Sequence, residues 1–132
     1  MPSVFSRIVS GEIPCHKIAE TADFLAFLDV MPLVPGHVLV IPKKEVDYIF
    51  DIDTEQYQAL WTFASDVARG IKKAVPCKRV GVAVIGLEVP HAHIHLVPMN
   101  EVGDINFTRP KMKPTQEELA FMAEKIRTHT AA

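Results

Sequence analysis

Three histidines alternate with apolar residues in His91-Ala92-His93-Ile94-His95, the apolar pair Leu96-Val97 follows, and half of the six histidines of the chain lie in this run. In an extended strand successive side chains point to opposite faces and the backbone rises about 3.3 Å per residue. Read as a strand, the run places His91, His93 and His95 on one face at intervals of about 7 Å and turns Ala92, Ile94 and Leu96 to the other. A row of imidazoles, each titrating near neutrality, has two chemical uses. Three can converge on a metal that keeps an open water position, or one can act as a nucleophile that its neighbours orient and supply with protons. The plain reading, a polar strand face, sits poorly with histidine, an uncommon residue in that role.

The elements that position these residues follow from hydrophobic spacing. A short amphipathic start (Phe5, Ile8, Val9) breaks at Gly11 and Pro14, and apolar runs at 16–19, 24–28 and 37–41 are bounded by turn residues, as strands are. The period then changes. Tyr57, Leu60, Trp61, Ala64, Val67, Ala68 and Ile71 recur at helical spacing and predict a helix over 54–74, with Asp53 as N-cap, Gln56 closing a capping box and Pro76 as the stop. Two strands follow, 79–85 and 91–97, joined by the short loop Gly86-Leu87-Glu88-Val89-Pro90. A second helix begins at the cap Thr115, with Glu118 as its box partner, and turns Leu119, Met122, Ala123 and Ile126 inward. This order predicts an α+β fold: an antiparallel sheet with helices on one side and the histidine strand beside 79–85, in the middle of the core.

Composition narrows the function classes. A chain of 132 residues is expected to form one domain, 1–132, with a real core. Fourteen basic against sixteen acidic residues, a formal charge of −2, provide no basic field for duplex nucleic acid and no membrane-surface patch. No apolar stretch approaches a membrane span, and the N-terminus lacks the layout of a signal peptide, so a cytoplasmic protein is expected. Cys15 and Cys77, far apart and without CxxC partners, fit a reducing compartment and structural roles.

The residues also resemble a known family. His91 to Val97 matches the His-φ-His-φ-His-φ-φ signature (φ apolar) of the histidine triad nucleotide hydrolases and transferases. Phe5 to Pro14, Phe24 to Val30 and Pro35 to Lys44 are similar to successive segments of the family's Hint branch. The likeness covers roughly residues 4 to 98, leaving 99–132 as an extension with a helix. It implies a five-stranded antiparallel sheet with a long helix and a C-terminal helix, extended across a homodimer. It also implies cleavage of purine nucleoside phosphoramidates or related nucleotidyl conjugates at the α-phosphorus, through a covalent nucleotidyl-histidine and without a cofactor. Carried onto this chain, the resemblance makes His93 the nucleophile, gives His91 the phosphate and the resting tautomer, and completes the polar cluster with His95 and His37. Asp29 would accept the ribose hydroxyls, and Phe5, Ile8, Phe27, Leu28 and Val30 would form the base pocket.

The chain departs from the Hint pattern in three places. The loop Ile85 to Pro90 is short and places Ile85 and Glu88 where Asn and Ser are expected, so contacts to the phosphate and leaving group must differ. Ser3 and Ser6 stand where some bacterial relatives have zinc-binding cysteines, and Lys43-Lys44-Glu45 replaces Lys-Lys-His, which argues against a structural zinc. The third departure is the C-terminal extension, with no role evident beyond packing or extending the dimer. Three further functions stay open: a dinucleoside polyphosphate hydrolase or nucleotidyl transferase, a metalloprotein with His91, His93 and His95 as ligands, and a non-catalytic nucleotide-binding protein.

Overall fold

The computed structural model describes residues 2–130. In chain order the elements are α1 (Val4–Val9), β1 (Lys17–Glu20), β2 (Phe24–Leu28), β3 (Val38–Pro42), α2 (Thr54–Ala74), β4 (Arg79–Ala83), β5 (Ile94–Met99) and α3 (Gln116–Arg127). Short 3-10 turns at Ile49–Asp51 and Val102–Ile105 separate some of them. The strands form one antiparallel sheet in the order β1-β2-β3-β5-β4, the expected α+β architecture.

β2 and β3 are continuous apolar runs because both of their faces are buried. On one face Ala26, Leu28, Val40, Ile94 and Leu96 pack against Leu60, Val67 and Ile71 of α2 and Leu119, Ala123 and Ile126 of α3. The C-terminal helix therefore completes the same core as the long helix. On the other face Leu25, Phe27, Leu39 and Ile41 are covered by Phe5 of α1, with Ile8, Val9 and Cys15 beside it. Helices thus lie on both sides of the sheet, not on one as expected. A helix of six residues carries too little periodicity to reveal which face it covers.

Local chemistry sets the ends of the elements. Asp53 accepts the Gln56 amide at 3.0 Å, but the reciprocal half of the expected capping box is absent. Thr115 and Glu118 form both halves of theirs. The histidine run is only partly strand, since β5 begins at Ile94 and its pairing with β3 ends at Val40↔Ile94. The preceding backbone bonds elsewhere: the His91 amide to the Val89 carbonyl at 2.8 Å and the Ala92 amide to the Val46 carbonyl at 2.7 Å. His91 and His93 are therefore held on a bonded approach to the sheet. Cys15 and Cys77 are both free thiols.

Candidate active site

His95 lies within β5 between two neighbours, paired with Leu39 of β3 and Ala83 of β4. Alternation turns it away from the α2 core, onto the face that carries Phe27 and Leu39. His37 enters from the residue before β3. Gly36 makes that approach at φ +90°, where a Cβ would be strained and would also meet Val75 Cγ2 at 3.0 Å.

Hydrogen bonds set the tautomers of this pair. The Leu33 amide donates to His37 Nδ1 at 3.1 Å, so that nitrogen carries no proton. A neutral His37 then carries its proton on Nε2 and donates it to His95 Nδ1, 3.0 Å away. His95 in turn must hold its own proton on Nε2. Both rings are kept neutral. Burial, with the Lys111 ammonium adding to it, pushes His37 down to about 4. Burial, with the Lys111 ammonium adding to it, also pushes His95 down to about 3. Asp29 Oδ2 lies 3.8 Å from His37 Nε2, a polar contact and not an ion pair because His37 is uncharged at neutral pH. Burial raises the Asp29 carboxyl above its ordinary value, partly offset by the Met31 amide that it accepts at 2.9 Å.

His93 is oriented differently. Its Nδ1 lies 2.8 Å from the His91 carbonyl, which can only accept, so the proton sits on Nδ1 and Nε2 keeps its lone pair. Among the described residues no protein group hydrogen-bonds that Nε2. The ring is wedged edge-on by Phe5 at 5.0 Å and His95 at 4.9 Å between centroids.

The His91 side chain is fully occupied. Its Nε2 donates to the Pro42 carbonyl at 2.7 Å and its Nδ1 accepts from the Ser3 hydroxyl at 2.8 Å, with burial holding its pKa below the ordinary value. Ser3 also caps α1 by accepting the Ser6 amide. The Ser3 amide and the Ser6 hydroxyl both donate to Glu45 Oε1 at 2.7 Å. The start of α1 is thereby tied to His91 and to the loop after β3. Fully buried and with both nitrogens used, the His91 ring has none free for a phosphate oxygen. What it contributes to the site is its carbonyl. The same occupancy leaves neither His91 nitrogen free to join His93 and His95 as a metal ligand in this arrangement. Among the described residues the group with ligand-like spacing is instead Asp29, His37 and His95, with one donor atom of each within 4.8 Å of the others.

His93 and His95 line a cleft of about 320 Å³, bounded also by Phe5, Leu39, Asp29 and the loop Ile85 to Val89. A larger hollow of about 470 Å³, around Lys43, Lys44, Asp51 and Asp53, contains no imidazole. Phe5, Ile8 and Phe27 form one apolar patch beside the cleft, with Phe5 edge-on to Phe27 at 5.7 Å. Leu28 points to the opposite face, into the α2 core, and Val30 is half exposed outside the cleft wall. The remaining wall comes from residues that the sequence did not single out, Phe107 and Lys111. They lie in the irregular segment before α3, where no periodicity or motif marks a side chain as facing a site.

Residues 10–102 match the HIT domain family. The chain is 39% identical over 109 residues to an uncharacterized 13.2 kDa HIT-like protein of Azospirillum brasilense, covering 76% of this chain and 88% of that one. It is 32% identical over 128 residues to the adenosine 5′-monophosphoramidase hnt1 of Schizosaccharomyces pombe, covering 96% of each. Among solved structures, a Hit-like protein from Bartonella henselae superposes with a TM-score of 0.85 at 32% identity, over 96% of this chain and 95% of that chain.

Proposed function

The chain belongs to the HIT domain family, and from that premise we propose that it hydrolyses purine nucleoside phosphoramidates or related nucleotidyl conjugates, with His93 as nucleophile. The observation that carries this reading is the state of the His93 ring. Its Nδ1 proton is held by the His91 carbonyl, and its unprotonated Nε2 belongs to a residue lining the cleft, next to the apolar patch and Asp29. Imidazole attacks only through an unprotonated nitrogen, and a carbonyl fixes that tautomer without adding charge.

The chemistry runs in two displacements. Nε2 attacks the α-phosphorus, the phosphorus–nitrogen bond to the leaving group breaks, and the departing amine takes a proton from solvent. Water then cleaves the phosphorus–His93 bond, releasing the nucleoside monophosphate and returning the proton. His95 presents Nε2–H as a hydrogen-bond donor toward charge developing on the phosphoryl oxygens. It is not the acid of the reaction. Losing that proton would leave an anionic ring, because its Nδ1 already accepts from His37. Asp29 receives the ribose hydroxyls, and Phe5, Ile8 and Phe27 contact the base.

The polyphosphate reading is disfavoured by Glu88, a carboxylate in the cleft wall that repels a second phosphate. The protein is further proposed to act as a homodimer that continues the sheet across the outer edge of β4, where Val82 is 49% exposed. Light scattering of the purified chain at twice the monomer mass supports the dimer, and monomer mass removes it. The activity is tested by AMP release from adenosine 5′-phosphoramidate. Turnover by the wild type and its loss in His93→Ala support the reading, and equal turnover by the two overturns it.

A further inference from the structure

We infer that Lys111 is the cation that binds the substrate's α-phosphate, so that the irregular segment between β5 and α3 is part of the active site. This rests on the nucleotide reading above and adds to it a residue that the triad does not contain.

The cleft needs such a group. A nucleotidyl α-phosphate carries a negative charge, and attack spreads more charge over its oxygens. His95 offers it a neutral donor, but a compensating positive charge has to come from elsewhere. His37 and His95 are neutral, and Asp29 and Glu88 are carboxylates among the lining residues. Among the described residues that line the cleft, Lys111 is the one Lys or Arg.

Its placement is built by the chain around it. The Met112 amide, next in sequence, donates to the Pro32 carbonyl at 2.9 Å, pinning the segment to the turn that follows Asp29. Phe107 packs edge-on against His95 with centroids 4.6 Å apart, and against His37 at 6.2 Å. The backbone is thus anchored on both sides of Lys111, while its side chain is exposed. The Lys111 ammonium makes only a long bond, 3.4 Å, to the Phe107 carbonyl. A phosphate oxygen offers a shorter, charge-assisted bond in its place. Its positive charge favours the ionised Asp29 carboxyl and opposes protonation of His37 and His95, in each case a smaller effect than burial.

The test is calorimetric binding of AMP and of adenosine to wild type, Lys111→Met and Lys111→Arg, with kcat and KM for adenosine 5′-phosphoramidate alongside. An exposed position tolerates both substitutions without loss of fold. The expected result is AMP binding weakened about tenfold in Lys111→Met, at the lower edge of what one hydrogen bond to a charged group contributes, as an exposed side chain should give, with adenosine binding unchanged. Lys111→Arg recovers most of the AMP affinity, the gap narrows as ionic strength rises, and the turnover defect falls on kcat as well as KM. AMP affinity equal in wild type and Lys111→Met overturns the assignment of Lys111 while leaving the nucleotide reading intact. Wild type that binds neither AMP nor adenosine overturns both.

Discussion

His37 donates from Nε2 to His95 Nδ1 across 3.0 Å, and the Leu33 amide, donating to the other nitrogen of His37, gives that bond a single direction. One backbone N–H thereby sets the protonation pattern of two buried rings and turns the remaining proton of His95 outward. Neither ring can take a second proton without losing a bond.

The pair makes stability pH-dependent with a definite sign. Both histidines have folded pKa values, about 4 and about 3, below the ordinary value of 6.5. The unfolded chain therefore binds more protons than the folded one below about pH 6.5. Their contribution is fully present above that pH and is lost as pH falls toward 4 and then 3. Thermal melts from pH 7.5 to 4 are expected to show a falling midpoint that steepens below pH 6.5, and His37→Phe a shallower dependence. A midpoint flat across that range contradicts the assignment.

Ser3 serves two ends at once, as the cap of α1 and as the donor to His91 Nδ1. Ser3→Ala leaves the buried His91 Nδ1 with only the long 3.4 Å contact to the Ser6 hydroxyl and an amide of α1 uncapped. Losses of this kind cost about 2 kcal/mol. Urea unfolding is expected to show that loss, accompanied by weaker adenosine binding, because Phe5 shares α1 with the cap.

Glu88 is expected to sort leaving groups. In Glu88→Gln the carboxylate's repulsion is gone. The ratio of kcat/KM for a dinucleoside polyphosphate to that for adenosine 5′-phosphoramidate should rise about tenfold, the equivalent of about 1.4 kcal/mol. An unchanged ratio means the side chain points to solvent in the working enzyme.

Much of the fold was legible from spacing. The apolar repeat of Tyr57, Leu60, Ala64, Val67 and Ile71 marks α2 to its observed ends, and 24–28 becomes β2 without adjustment. The strands at 16–19 and 37–41 each shift by one residue, a matter of which backbone groups find partners. The histidine run is the instructive failure. Alternation correctly puts Ala92, Ile94 and Leu96 on the core side, yet His91 and His93 are not in a strand. The His91 amide turns back to the Val89 carbonyl and the Ala92 amide goes to the Val46 carbonyl, the latter a contact that no local pattern encodes. Spacing also could not show that the His91 ring is consumed by Ser3 and Pro42, which are 88 and 49 residues away in sequence. Phe107 and Lys111 were invisible for a related reason. They reach the cleft because Met112 is bonded to Pro32, a long-range pairing within an irregular segment.

If His93 Nε2 becomes covalently bonded to phosphorus, intact-mass spectrometry of rapidly quenched mixtures with adenosine 5′-phosphoramidate catches the adduct. The expected result is a transient species heavier by one adenylyl group in wild type, mapped to His93 by peptide analysis and absent from His93→Gly. AMP release by wild type with the adduct mapped to another residue, or with His93→Gly turning over as fast as wild type, would contradict it.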